Sequence, residues 1–216
     1  IFILGTTIGS NVTINSGATL QIGSGGNLLN INNQIVDDGK VGNVLGNIVD
    51  NGTLIFNRLD NFTYAGNLSG SGNIIKKNAN TVTLSGQYTY TGKTQIQGGA
   101  IVLASTAKLS TASALDVSAG SINLNGTSQN VAGLSSTDGT SGTLNVGGGS
   151  LTVTQSDNST FGGTLTGGGA VNKAGGGSLT LSGNNSGYTG TTSISGGLVE
   201  VGDAANPGAQ LGGTVT

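Results

Sequence analysis

The 216-residue sequence contains no cysteine, histidine, methionine or tryptophan. Without cysteine, disulfide bonds and thiolate chemistry are impossible. Without histidine and cysteine, Ser-His-Asp and Cys-His catalysis, zinc sites and haem ligation are also excluded. The composition therefore predicts a protein that is not an enzyme and that binds no metal ion or cofactor.

Charge and long apolar runs are also scarce. Charged residues make up 7% of the chain, the formal net charge is −2, and the seven basic residues are scattered. Nucleic-acid binding needs a basic patch that neutralises phosphates, so this class of partner is not expected. The longest apolar run, Ile1 to Leu4, is far too short to cross a bilayer, so we expect no membrane insertion of this segment.

Proline is limited to Pro207, whereas glycine occurs 42 times. So much glycine alone would suggest low complexity. Disordered chains, however, combine low hydrophobicity with high net charge, and this chain is 34% hydrophobic and nearly neutral. The sequence is therefore expected to fold. It begins at Ile1 without a methionine, which suggests a processed product or an excised segment.

A block of about fifty residues occurs twice, at 52–103 and 149–201. Glycines, β-branched residues and their spacing are preserved between the copies, which is typical of a structural unit in a repeat array. The repeat-defining residues are Gly70, Gly72, Lys76, Leu84, Gly86, Tyr90 and Gly92 in the first copy, and Gly167, Gly169, Lys173, Leu181, Gly183, Tyr188 and Gly190 in the second.

Short runs with period-2 alternation, such as Val82 to Ser85 and Leu179 to Ser182, predict strands with one apolar and one polar face. Glycine-rich turns separate these runs. Helical signal is nearly absent, with at most a short turn within residues 106–115. Residues 34–49 have irregularly spaced apolar residues and predict a loop or insertion.

These features favour a β-solenoid over a sandwich. The repeat unit is longer than one hairpin, and the outward positions are polar but uncharged, as in-register stacking requires. With 20 to 25 residues per turn, residues 1–216 would form one all-β parallel solenoid of roughly nine or ten turns. Lys76 and Lys173 are expected to snorkel over its edge. Tyr90 and Tyr188 are expected to cover a turn, with their hydroxyl groups in water.

The repeat resembles the autotransporter-associated β-strand repeat, whose pattern is close to G-x-G-x-hydrophobic-x-K-x-G-x-G-T-L-T-L-S-G-x-N-x-Y-T-G-x-T. The second copy fits at Lys173, Gly175, Gly177, 179–183, Asn185 and 188–190, whereas the first departs from the pattern at Asn78, Asn80 and Gln87. The resemblance implies a right-handed parallel β-helix, a passenger domain that a Gram-negative bacterium secretes across its outer membrane. It also implies a role of the repeat in folding and export rather than in catalysis.

The acidic residues offer little for chemistry. Asp37 and Asp38 are adjacent, but neighbours on a strand point to opposite faces, so a solvated loop is preferred to a glycosidase pair. Asp60 and Asp157 recur at equivalent positions. They could be repeated calcium or sugar contacts, but an Asx-type turn that caps a strand is the preferred interpretation.

Three functions remain open at this point. The preferred one is a non-catalytic extracellular module, a rigid structural or adhesive stalk at the bacterial surface that contacts cell-surface proteins or glycans. The alternative is a filament or surface-layer subunit that assembles end to end through its terminal strands. Its candidate assembly strand comprises Ile1, Phe2, Ile3 and Leu4, an apolar run that could complete a neighbouring sheet. A polysaccharide-degrading β-helix enzyme is the least favoured.

Overall fold

The computed structural model describes residues 2–3, 7–23, 29–31, 34–36, 43–137 and 142–216, with side chains for 7–23, 43–137 and 142–216. All regular structure in these residues is β-strand. No helix in the described part of the chain is long and apolar enough to span a membrane.

The strands form three stacks, which we call faces A, B and C, and the chain visits them in the repeating order B, C, A. Face A contains Val12–Ile14, Ile48–Asp50, Leu68–Ser69, Ser128–Val131, Ser150–Val153, Ala170–Lys173, Thr191–Ile194 and Thr214–Val215. Face B contains Phe2–Ile3, Thr19–Ile22, Thr53–Phe56, Asn73–Lys76, Gly133–Ser135, Ser159–Phe161, Ser178–Leu181 and Leu198–Val201. Face C contains Thr7–Ile8, Asn43–Val44, Phe62–Tyr64, Thr81–Leu84, Thr143–Asn145, Thr164–Thr166, Asn184–Asn185 and Gln210–Leu211.

Two long strands, Thr94–Leu103 and Ala114–Asn123, continue from face B into face C around the corner between them. Their pairing shifts register at Ile96/Gln97 and again before Ala100, which is where the chain turns that corner. Face A has only single bridges at Tyr88 and Lys108 in the same turns. All pairs between successive turns are parallel, so the prediction of an all-β parallel solenoid is confirmed.

One turn takes about 20 residues. In the first repeat, Thr53 pairs with Asn73 and Ile74 pairs with Thr94, each 20 residues further on. The solenoid makes about eight turns, slightly fewer than the nine or ten that the sequence predicted. The described strands at 2–22 belong to the same stacks.

Alternation along each strand directs one set of side chains into a narrow interior. In the strand Thr53–Phe56, Leu54 and Phe56 are buried while Thr53 and Ile55 are partly exposed. Register then stacks the inward residues of successive turns in columns, such as Leu54, Ile74, Thr94 and Leu115. The core is therefore a continuous column of aliphatic side chains with scattered aromatic rings, rather than one globular centre.

One local expectation from the sequence is confirmed and one is corrected. Residues 106–115 contain turns and the start of a strand, which agrees with the limit of at most a short helical turn. The expected insertion at 34–49 is displaced, because Asn43–Val44 and Ile48–Asp50 are strands of faces C and A. The inserted part lies earlier, where Leu29–Ile31 and Gln34–Val36 pair as the antiparallel exception to the parallel stacks. Pairs that bridge this insertion are 34 to 36 residues apart, as in Thr19 with Thr53 and Val12 with Ile48.

Candidate functional site

The two repeat copies begin on different faces of the solenoid. The first copy starts with the strand Thr53–Phe56 on face B, and the second starts with Ser150–Val153 on face A. The 97 residues between equivalent positions correspond to four complete turns and two further faces. Each strand of the second copy therefore lies one face away from the equivalent strand of the first copy. The repeat is thus a unit that can begin on more than one face of the solenoid.

The repeated lysines are fully buried, which corrects the expectation that they snorkel over the edge. Lys76 stands in a column between Phe56 and Ile96, and Lys173 stands between Val153 and Ile194. Both lysines have 0% of their surface exposed. Each replaces an aliphatic residue at the last inward position of its strand, next to a corner.

The Lys76 ammonium group is held in a cage of oxygen atoms. Its Nζ donates to the carbonyl oxygens of Lys77 and Asn78, the second at 2.8 Å, and to Asn80 Oδ1 at 2.8 Å. A longer contact of 3.3 Å reaches the carbonyl oxygen of Gly98 in the next turn. Lys76 thus links the corner that follows its strand to the equivalent corner of the next turn.

The second copy reproduces this cage. Lys173 Nζ donates to the carbonyl oxygens of Ala174 at 2.8 Å and Gly175 at 3.0 Å, and contacts that of Gly196 at 3.3 Å. Burial lowers the pKa of the Lys173 amine. The pKa of Lys76 is lowered by the same desolvation to about 8.

The cage depends on a left-handed residue two positions after the lysine. Asn78 has φ of 59° and the equivalent Gly175 has φ of 79°. Asparagine is one of the few non-glycine residues that adopt this conformation readily, which explains why it can replace the usual glycine in the first copy. Asn80 replaces a second glycine and supplies the additional amide oxygen to Lys76.

The repeated tyrosines are internal, and the expectation that their hydroxyl groups are hydrated is wrong. Tyr188 is fully buried, and its hydroxyl oxygen lies 2.8 Å from the carbonyl oxygens of both Gly169 and Thr191, which share its single donor proton. The Tyr90 hydroxyl bonds with the Thr94 hydroxyl in the interior. Burial raises the pKa of both phenols. Each tyrosine side chain therefore packs against its corner from the interior of the solenoid.

The repeated glycines stack upon glycines of the neighbouring turns. A Cβ atom on Gly190 would lie 1.9 Å from the carbonyl oxygen of Gly169, and one on Gly92 would lie 2.1 Å from that of Gly72. A side chain at these corners would collide with the backbone of the turn below. The positions of glycine in the repeat therefore allow successive corners to approach each other closely.

Asparagines on the outside reinforce the same stacking, a role that the sequence interpretation missed. Asn61 Oδ1 accepts a hydrogen bond from the backbone of Thr81 at 2.7 Å, and Asn158 Oδ1 accepts one from Ser178 at 2.9 Å. The two pairs occupy equivalent repeat positions, each 20 residues apart. Asn73 binds the backbone of Lys93 in the same way at 2.8 Å. The available signal was the recurrence of asparagine one turn before a strand.

The repeated aspartates do not form a common site. The Asp60 carboxylate pairs with Arg58, through Nε at 2.9 Å and Nη2 at 2.6 Å, and this contact lowers the pKa of Asp60. Gln155 occupies the position of Arg58 in the second copy, where it donates to the carbonyl oxygen of Asp157. The expected Asx-type turn at Asp60 is therefore replaced by an ion pair.

The other residues singled out from the sequence are not brought together into a reactive cluster. Phe2 and Ile3 pair in parallel with Gln21 and Ile22, while Ile1 and Leu4 lie outside the described residues, as do Asp37 and Asp38. Within the described ranges no three acidic side chains gather where they could hold a metal ion. The repeat residues act together in one way, which is to join each turn to the next.

Comparison with known sequences agrees with this arrangement. Residues 74–103 and 171–201 match the family described as the passenger-associated-transport-repeat. Both stretches lie inside the repeat blocks, and each contains the caged lysine and the buried tyrosine.

The Escherichia coli (strain K12) protein named "Uncharacterized protein YuaQ" is 37% identical to this chain over 109 residues. The aligned part is 49% of this chain and 8% of that protein, so the chain spans a small fraction of its relative. No solved structure matches the chain. The resemblance to autotransporter passenger repeats is thereby confirmed, because the chain carries two passenger-associated transport repeats on a β-solenoid.

Proposed function

We propose that this chain is a rigid, non-catalytic stalk segment of a secreted bacterial surface protein, and that its outer faces serve in adhesion. The observation that carries the proposal is the internal position of the repeated side chains. The caged lysines, buried tyrosines and stacked glycines are all used to fasten one turn to the next. These side chains therefore support the rod from within and leave the outer surface available for contacts.

The comparisons support a place outside the cell. The repeat that matches is passenger-associated, and the relative is much longer than this chain, as expected if the segment is one part of an extended stalk. A chain without cysteine needs no oxidative folding after export, which is compatible with this location. The polar, nearly uncharged surface offers many hydrogen-bonding groups to cell-surface proteins or glycans.

Small-angle X-ray scattering of the purified chain tests the stalk role. Eight turns at about 4.8 Å each give a rod about 40 Å long, with a cross-section that does not change with concentration. A compact, near-spherical particle would contradict the proposal. A screen with pectin, glucan and peptidoglycan is expected to show no turnover, and hydrolysis or elimination of any of them would overturn the non-catalytic part.

A further inference from the structure

Face A contains a recess in the middle of the rod. At the levels of Tyr88 and Lys108 this face has single bridges in place of strands, and the small side chains of 110–113 follow. The resulting groove has a volume of about 580 Å³. Its polar lining includes Thr89, Thr111, Ser128, Asn130, Ser150 and Thr152.

Several polar groups in this groove are free to bind a ligand. The side chains of Thr89, Thr111 and Ser150 make no hydrogen bond within the described part of the chain. Asn130 Oδ1 also lacks a donor among the described residues, but it is buried, so it is not one of the accessible groups of the groove. The floor, in contrast, is fixed, because Gln129 accepts from the backbone of Leu109 and donates to Ala107 and Thr127. A rigid floor with uncommitted surface groups is a preorganised hydrogen-bonding site.

The groove continues into a regular polar ladder. Asn130, Thr152, Asn172 and Ser193 are paired in register on face A, one on each successive turn. Such a row repeats about every 4.8 Å along the rod. A polymer with repeated hydroxyl groups can therefore make the same kind of contact at several levels.

The charge of the groove does not favour a charged ligand. Lys108 is the charged side chain that lines the groove, and its Nζ donates to the carbonyl oxygen of Ser128 at 3.0 Å. The groove lacks the cation cluster that an anionic polymer requires. The strongly exposed apolar side chains, such as Leu59 and Leu198, lie elsewhere, so the groove also lacks the apolar anchors of a protein interface.

We propose that this groove and its ladder bind an uncharged polysaccharide chain through hydroxyl and amide groups. The inference rests on the adhesive part of the proposed function and supplies its site and ligand class. The Tyr88 ring is only 3% exposed, so it offers no stacking platform. Each contact is a single hydrogen bond, and the affinity comes from repetition along the chain.

Nuclear magnetic resonance titration of the isotope-labelled chain tests the proposal. The probes are dextran, mannan and a mixed-linkage β-glucan as neutral polymers, with heparin and polygalacturonate as anionic ones. At least one neutral polymer is expected to shift the amide signals of residues 89, 111, 128–130 and 150–152, with an affinity that does not change with salt.

Two matched double variants locate the binding site. Asn130→Ala with Thr152→Ala is expected to weaken binding about thirtyfold, since two lost hydrogen bonds of about 1 kcal/mol each remove about 2 kcal/mol. Thr63→Ala with Thr83→Ala changes a registered outward pair on face C and is expected to bind like the unmodified protein. Circular dichroism verifies that both variants fold.

The inference is overturned if no neutral polymer binds, if only the anionic polymers bind, or if the face A variant binds as tightly as the face C variant. Capture of a protein ligand by the groove, without glycan binding, would overturn it as well. The rod dimensions from X-ray scattering do not depend on any of these results. Failure of glycan binding can therefore be distinguished from failure of the stalk role.

Discussion

Lys76 and Lys173 occupy the same position in the repeat and the same kind of oxygen cage, yet one ends a strand of face B and the other ends a strand of face A. The cage is built from the carbonyl groups of the corner after the lysine and from the corner stacked on it. It requires no residue that is specific to one face. The repeat thus contains the groups that join one turn to the next, whether it lies on face A or on face B.

Removal of a caged lysine is expected to destabilise the fold. Lys76→Met keeps a long unbranched side chain in the column but leaves the surrounding carbonyl oxygens without their donor. We expect a loss of about 2 kcal/mol in the free energy of unfolding at neutral pH, measured by urea denaturation. Lys93→Met, at an exposed lysine, is the control and should leave stability almost unchanged. Equal stability of the two variants would contradict the structural role of the cage.

The Lys76 amine is also expected to raise the free energy of unfolding as the solution becomes mildly alkaline. The pKa of Lys76 is about 8 in the folded chain against an ordinary 10.5, so the unfolded chain binds more protons between these values. Stability is expected to increase by about 2 kcal/mol between about pH 8 and pH 10 from this group. Denaturation midpoints across this interval measure the effect. In Lys76→Met the rise should be reduced, and an unchanged rise would show that other groups cause it.

At higher pH the tyrosines reverse this trend. Burial raises the pKa of Tyr64, Tyr88, Tyr90 and Tyr188, so their stabilising contribution is present below the ordinary value of 10.0 and is lost as the pH rises above it. Unfolding and tyrosinate absorption should therefore appear together in an alkaline titration. Tyrosinate formation at the ordinary pKa without loss of the β-sheet circular dichroism signal would contradict burial of the phenols.

The close stacking of the corners predicts that alanine substitution has very different effects on stability at Gly190 and at Gly187. A Cβ atom on Gly190 would collide with the Gly169 carbonyl group, whereas a Cβ atom on Gly187 meets nothing within 4 Å. Gly190→Ala should lower the free energy of unfolding by about 3 kcal/mol, and Gly187→Ala should change it by less than about 0.5 kcal/mol. Thermal or urea denaturation provides the measurement. Similar effects at both positions would mean that the corners do not approach so closely.

The sequence predicted the solenoid because its signals are local. Alternation in Leu54 and Phe56 marks an inward face, and a glycine pair such as Gly98-Gly99 marks a corner, so recurrence of both implies stacked turns. The rotation between copies was missed because similarity fixes the 97-residue distance but does not give the length of one turn. Counting strands in the structure was needed to place Ser150 on face A.

The repeated side chains were assigned to the wrong surroundings for a related reason. Lysine is rarely buried without a partner, and the partners of Lys173 are backbone carbonyl groups that no side-chain pattern reveals. The sequence did contain two signals for burial, namely the recurrence of the lysine in both copies and its place two residues after the inward Val171. The Tyr188 hydroxyl was missed in the same way, because both of its acceptors are backbone oxygens.

Cysteine pairs test the central claim, the in-register stacking of 20-residue turns, most directly. The chain has no cysteine, so Thr152→Cys with Asn172→Cys places two thiols on directly paired outward positions of face A. Thr152→Cys with Val171→Cys is the control, since Val171 points inward. The solenoid predicts rapid disulfide formation in the first pair and little in the second, measured by thiol titration and peptide mass mapping. Failure of the 152–172 pair to oxidise in folded protein, or equal oxidation of both pairs, would contradict the account.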